Sequence, residues 1–346
     1  MNDLRAARLP RRAIGLSAVG FAVACVLGVT IGPASISWSD AVVEVLDQIP
    51  GLDLDSGLGP AQSAIVAEIR LPRVVLGAMV GALLSLTGAA YQGAFRNPLA
   101  DPYLLGVAAG AGLGATLAIV NGLGDSGGFV DPVPMAAFLG ALGAVAISYA
   151  AGHLGGRATV SLVLAGVAVA SFLTAIQTYV LQANNEVIRE VYAWILGRLA
   201  TSGWSEVLLL LPYFLVTVVV VVRYRHALDG LAVGDEEARA LGIDPGRVRA
   251  IVVVVASLGA AAAVSVSGLI GFVGIIVPHA VRLLVGVSHR AVLPMTVVLG
   301  AAFMVLADLV ARTVVAPAEL PIGVVTAMIG APFFVLVLRT SSRETW

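Results

Sequence analysis

AIGLSAVGFAVACVLGVTI, residues 13–31, is a run of nineteen residues without a charge, preceded by Arg5, Arg8, Arg11 and Arg12. A secretory signal also has a basic leader, but its apolar core runs to only about 7–15 residues. At ~1.5 Å of rise per residue, nineteen residues cover the ~30 Å hydrocarbon thickness of a bilayer as one helix. The run therefore reads as a membrane span. Nine further runs follow, cut at charged or Pro/Gly-marked breaks: about 63–94, 102–121, 132–152, 160–182, 204–224, 247–267, 270–286, 292–313 and 320–339. The eighth is short and carries Pro278, which removes a rung of the hydrogen-bond ladder. Lipid tolerates that only where neighbouring protein satisfies the freed groups. The expected fold class is an all-α polytopic membrane protein with ten transmembrane helices, a single domain over residues 1–346.

Composition agrees. Of 346 residues, 59% are hydrophobic and 12% charged, against about 25% charged in a soluble domain. Glycines at 77 and 81, and at 106, 110 and 114, recur on single helix faces, which predicts close helix crossings. The net charge is -1, with no basic stripe, so nucleic acid is not an expected partner. All 20 basic residues are arginine. Without lysine the chain has no Walker A loop and no Schiff-base chemistry, and no catalytic residue is expected. The single cysteine, Cys25, sits in the first span, which excludes an intrachain disulfide. His153, His226 and His289 have no Cys, Asp or Glu at metal-ligand spacing, and His279 reads as a structural part of the broken eighth span. No metal site or bound cofactor is expected.

With the amino terminus inside, fifteen arginines (5, 8, 11, 12, 96, 157, 223, 225, 239, 247, 249, 282, 290, 339, 343) fall on the cytoplasmic side. Only Arg70, Arg73, Arg189, Arg198 and Arg312 fall outside. Fifteen against five obeys the positive-inside rule and predicts two cytoplasmic termini. The stretch from Gly32 to Ser63 becomes an acidic external loop, with a capped interfacial helix over Ala41 to Leu46 anchored by Trp38. The polar connection 228–243 becomes cytoplasmic. Gly230, Gly234 and Gly242 allow it two short helices at an angle, and on its residues alone it also reads as a solvated connector.

Several segments carry a family resemblance. Arg70-Leu-Pro-Arg73, GAAYQGAFRNPLADP (88–102), LGVAAGAG (105–112), GLIGFVGIIVPHAVR (268–282), His289-Arg290 and Leu320-Pro-Ile-Gly323 resemble, in order, the FecCD family of permeases. The resemblance spans about residues 60–340. It implies a ten-helix, BtuC-like permease of a type II ABC importer in the bacterial inner membrane, working as a dimer, presumed homomeric, around a central path. A separate ABC ATPase subunit supplies energy, an extracytoplasmic binding protein delivers the cargo, and membrane lipid surrounds the pair. The cargo it implies is a ferric siderophore or haem, with cobalamin as the alternative.

By the same resemblance Gly234, Glu237, Ala238, Leu241 and Gly242 lie in the coupling helices within 228–243. Arg70, Arg73 and Arg312 receive acidic residues of the binding protein, a task suited to bidentate guanidinium. For Arg312 a local alternative stands beside docking: Asp308, four residues earlier on one helix face, neutralises it. The path is lined by span five, with Ser171, Thr174, Gln177, Thr178 and Gln182, and by a short helix near Val191 to Leu199. An intramembrane enzyme would need a nucleophile–base pair or metal set that the spans lack. An ion-driven secondary transporter would need several intramembrane carboxylates, and only Asp308 is available.

Overall fold

A computed structural model describes residues 11–341 apart from 33, 35, 50, 52–53, 124–130, 155–158 and 200–202. Arg5, Arg8, Asp53, Arg157 and Arg343 lie outside the described residues, as do Pro33 and Ser35 of the segment before the interfacial helix. The chain runs through α1 (Arg11–Thr30), α2 (Trp38–Asp47), α3 (Pro60–Ala64), α4 (Leu71–Phe95), α5 (Val107–Val120), α6 (Pro132–Leu154), α7 (Thr159–Ala183) and α8 (Ile188–Ile195). It continues through α9 (Ser205–Arg223), α10 (Arg225–Val233), α11 (Asp235–Ala240), α12 (Pro245–Ser267), α13 (Val273–Val285), α14 (His289–Thr313) and α15 (Ile322–Ser341). Among the described residues there is no strand.

Among the described residues, seven helices are long and apolar enough to cross a membrane by length and composition; α5, α13 and the apolar part of α15, Ile322–Leu336, are shorter apolar helices. The second span starts earlier than expected: α3 passes through a wide π turn at Ile65–Arg70 into α4, one apolar helix of 36 residues. The helix expected near 191–199 starts and ends earlier, at Ile188–Ile195. Gly197, at φ 79°, turns the chain out of the helix, and the Arg198 N–H then bonds the Ser267 carbonyl at 2.9 Å. The interfacial helix α2 extends three residues further back than expected, and Trp38 at its start is 73% exposed.

The helix ends follow local chemistry. Arg96 turns left-handed at φ 51° and stops α4 before Asn97-Pro98. Asp244 accepts from the N–H groups of Gly246 and Arg247 with Pro245 in the first helical position, opening α12. Gly268 ends α12 at φ 69°, and Phe272, also left-handed at φ 68°, opens α13. Residues 268–272 thus form the non-helical break that shortens the eighth span. Protein surrounds this break: the Tyr103 hydroxyl donates to the Ile270 carbonyl at 3.1 Å and accepts from the Ile270 N–H at 3.2 Å.

α4 is the axis of the bundle. In its most apolar window 94% of residues are buried, against 11% in α7, so α7 lies at the edge with most of its surface unpartnered. α14, α12, α13 and α9 pack on α4. Crossings are close where a Cβ is missing: Gly81 rests on the Gly300 carbonyl, Gly110 on Gly140 and Gly114 on Ala136. Gly77 faces a Leu199 methyl rather than a backbone, and Gly106 lies outside the helix face, capping α5 at φ 84°. A second, smaller apolar cluster (Ala24, Val29, Ala41, Val66, Val74, Ala302 and Val305) fastens α1 and α2 to the bundle.

Candidate functional site

Three regions hold the residues singled out by sequence. The first is an elbow between α10 and α11. Gly234 sits there at φ 144°, ψ 160°, a conformation essentially restricted to glycine, and a Cβ would run into the Glu237 carboxylate. Two short helices therefore meet at Gly234, but the first starts at Arg225, before the expected stretch, and the second ends at Ala240, so that Leu241 and Gly242 lie in the turn after it rather than in a helix. Ala238 is fully buried, whereas Glu237, Leu241 and Gly242 are exposed. Ala238 thus holds the elbow together from inside and the other three face outward. Val233 joins Leu241 as an exposed apolar side chain at the tip.

The elbow is braced to three spanning helices. Arg249 of α12 donates to both Asp235 oxygens at 2.8 and 2.6 Å, and its Nε donates to the Ala94 carbonyl at the end of α4 at 2.9 Å. Arg96 adds an ion pair to Asp235 at 3.3 Å. Asp229 of α10 accepts from the His289 N–H at 2.6 Å and the Ser288 hydroxyl at 2.8 Å, with His289 Nδ1 at 2.9 Å, at the start of α14. The hydrogen bond from Arg249 holds the Asp235 carboxyl below its ordinary value against a smaller effect of burial. For Asp229 burial pushes up, but hydrogen bonds from His289 and Ser288 outweigh it and the net shift is down. Both acids are anionic at neutral pH. None of these braces was visible beforehand: Asp229 and His289 are 60 residues apart, and Arg249 was only one topological charge among many.

The second region is at the end of α4 nearest α2. Arg70 is 4% exposed and donates to the carbonyls of Val29, Thr30 and Ala34 at 3.0, 2.9 and 2.6 Å, clamping the end of α1. Arg312 is equally buried, donates to the Gly28 carbonyl and has its Nε 3.6 Å from Asp308 Oδ2. Arg73 lies between them, bonded to Asp308 at 2.8–3.1 Å and to Glu319 at 2.9 Å. All three arginines thus have partners within the chain. Asp308 serves Arg73 more closely than Arg312, the pair that sequence spacing suggested.

The third region is α7. Ser171, Thr174, Thr178 and Gln182 share its exposed stripe; Ser171 donates to the Val167 carbonyl and Thr178 to that of Thr174, both at 2.9 Å. Gln177 points the other way, 9% exposed, donating to the Thr116 hydroxyl of α5 at 3.0 Å. The remaining exposed side chains of the stripe are apolar, Leu164, Val167, Phe172 and Tyr179 among them.

Sequence reasoning also missed a polar cluster beside the break. Asp101 accepts from the Tyr103 N–H at 2.8 Å, and burial pushes its carboxyl up to about 6. Gln92 donates to the Gly274 carbonyl at 3.0 Å. His279 meets the Phe333 ring edge-on at 5.9 Å. Among the described residues no three His, Cys, Asp or Glu side chains gather to hold a metal ion.

Known proteins match this chain over most of its length. The cobalamin import system permease protein BtuC of Halobacterium salinarum is 42% identical over 335 residues, covering 94% of this chain and 89% of its own. The hemin transport system permease protein HmuU of Yersinia pestis is 37% identical over 289 residues, 80% of this chain and 84% of its own. A solved structure of an inward-facing ABC transporter assigned to the metal-chelate type superposes with a TM-score of 0.82 at 31% identity, covering 96% of this chain and 99% of that one. The profile of the FecCD transport family matches residues 20–340. An all-helical bundle of that shape, matched from α1 to α15, is a membrane-embedded ABC permease subunit without catalytic activity of its own, and the chain belongs to the FecCD transport family.

Proposed function

We propose that the chain moves a bulky metal chelate, a ferric siderophore or haem, inward across the bacterial cytoplasmic membrane. It does so as one of two permease copies driven by separate ATPase subunits and fed by an extracytoplasmic binding protein. Cobalamin is the alternative cargo; the names of the two relatives above divide between cobalamin and hemin. The observation that carries the reading is the braced elbow. An exposed tip of Val233, Glu237, Leu241 and Gly242 is tied by Asp229 and Asp235 to the ends of α4, α12 and α14. A partner that pushes the tip moves three spanning helices together, as a rigid-body transition requires. α5, α13 and α15 complete ten spans, and the arginine distribution puts both termini and the elbow in the cytoplasm.

On the opposite face Arg73 receives the binding protein, with Arg70 and Arg312 fixing the helix ends around it. The exposed stripe of α7, with Ser171, Thr174, Thr178 and Gln182, faces the second copy and lines the path, and Gln177 steadies it from behind through Thr116. A stripe of hydroxyls, one amide and apolar side chains binds a chelate weakly, which suits passage. Purification from membranes tests the assembly. Native mass measurement should give two permeases with two ATPase subunits, and the Leu241→Asp variant should shed the ATPase while keeping the permease pair. A permease that purifies alone at every salt concentration contradicts the reading.

A further inference from the structure

Arg73 uses its whole guanidinium fork on two carboxylates, and the two are unlike. The Nε/Nη2 edge takes Asp308, at 3.0 and 2.8 Å to Oδ1, and the Nη1/Nη2 edge takes Glu319, at 2.9 Å to each oxygen. Asp308 is 4% exposed on α14 and cannot leave without stranding a buried charge. Glu319 is 45% exposed and belongs to the connection between α14 and α15, whose residues 314–319 are all exposed. One partner is fixed and aims the fork; the other is half-exposed on a connecting segment, so that only the Glu319 side of the pair, not the 11%-exposed Arg73, is open to water and free to move away.

The local charges favour exchange. Arg70, Arg73 and Arg312 bring three positive charges, Asp308 and Glu319 two negative ones, and Arg73 and Glu319 both act on Arg312. A carboxylate arriving from outside can take the outward edge of Arg73 while Glu319 swings into solvent. The swap leaves no desolvated charge unpaired at any stage. Without Glu319 that edge would stand empty beside two further buried arginines, open to any anion.

We infer that Glu319 is a built-in stand-in for the carboxylate of the binding protein, occupying the outward edge of Arg73 until docking displaces it. The inference rests on the docking role of Arg73 proposed above, and adds that docking is a competition within the permease. Removing the competitor should tighten docking by the worth of one ion pair whose acid is open to water, about two- to five-fold in Kd.

The test is binding of the cargo-loaded binding protein to the intact transporter in lipid nanodiscs at ~0.15 M salt, where bulk fields are screened beyond ~8 Å. Four proteins are compared with the parent: Glu319→Ala, Glu68→Ala, Arg73→Lys and the double variant Glu319→Ala/Arg73→Lys. Glu68 is an exposed acid five residues before Arg73, which bonds Asp308 and Glu319 instead, and controls for the charge change. Lysine at 73 keeps a cation for Asp308 and the fold while losing the fork. The expected result is two- to five-fold tighter binding for Glu319→Ala, no change for Glu68→Ala, weaker binding for Arg73→Lys, and no gain from Glu319→Ala in the lysine background. If Arg73→Lys weakens binding but Glu319→Ala matches Glu68→Ala or also weakens it, the stand-in is overturned and docking at Arg73 survives. If Arg73→Lys binds as the parent does, docking at Arg73 fails and the stand-in fails with it.

Discussion

A carboxylate beside the helical break, Asp101, makes the most direct residue-scale prediction. Its folded value of about 6 lies above the ordinary carboxylate value, so the fold favours the protonated form. That contribution is complete below about pH 4 and is lost as pH rises through about 6. Asp101→Asn keeps an acceptor for the Tyr103 N–H and cannot ionise. Its unfolding free energy should match the parent's near pH 4 and exceed it at pH 8 by an amount on the order of 1–3 kcal/mol; a gain equal at both pH values would show that ionisation is not the cause. Gly81 makes a steric prediction. A Cβ there meets the Gly300 carbonyl and Met304 Cβ, so Gly81→Val should cost at least about 1–3 kcal/mol or prevent folding. Gly143→Ala, on open space inside α6, should leave stability unchanged or raise it by up to about 1 kcal/mol when both variants are unfolded in denaturing detergent. The sequence spacing identified Gly81, Gly110 and Gly114 as crossing points because a small residue every fourth position is a local signal. It misplaced Gly106 because spacing alone cannot tell a helix face from a left-handed cap, and it could not reveal Asp235–Arg249 or Arg73–Glu319, which are made by the folded path of the chain.

At the scale of elements, the coupling role proposed for the elbow rests on one backbone conformation, that of Gly234. Gly234→Ala forces a side chain into the ε region, at about 1–3 kcal/mol of strain, and into the Glu237 carboxylate. The permease should still reach the membrane, because the strain falls on one residue between two short helices and outside the spanning helices. Cargo uptake should fall several-fold while ATP hydrolysis continues, since a distorted elbow passes less of the motor's movement to α4, α12 and α14. Uptake and hydrolysis falling together in proportion would instead indicate lost assembly. Both short helices were readable from their glycines and polar composition. The early end of α8 was not: apolar residues continue to Leu199, and only Gly197 and the bond from Arg198 to Ser267 show why the helix stops. The break at 268–272 was legible only as a short span with Pro278, since a left-handed Phe272 leaves no compositional trace.

For the whole molecule, hydropathy read the all-helical membrane architecture well, because bilayer thickness leaves few solutions for apolar runs of this length. The contrast between buried α4 and exposed α7 was not readable, as both are apolar throughout; which one faces protein is decided by packing in three dimensions. The exposed α7 stripe predicts a pair. With Cys25 replaced by serine and Thr178→Cys introduced, oxidation in native membranes should cross-link most of the permease to a dimer, whereas Leu139→Cys on the exposed face of α6 should remain monomeric. The reverse pattern would move the pair interface away from α7.

Uptake into sealed proteoliposomes decides whether this bundle is an ATP-driven import path. These would hold the permease and its ATPase, with binding protein outside loaded in turn with a ferric siderophore, haem or cobalamin. One cargo should accumulate only with ATP inside and the binding protein outside, and accumulation should stop when Gly234 and Leu241 are both replaced. Uptake that follows a proton or sodium gradient and is indifferent to ATP and the binding protein would contradict an ATP-driven path.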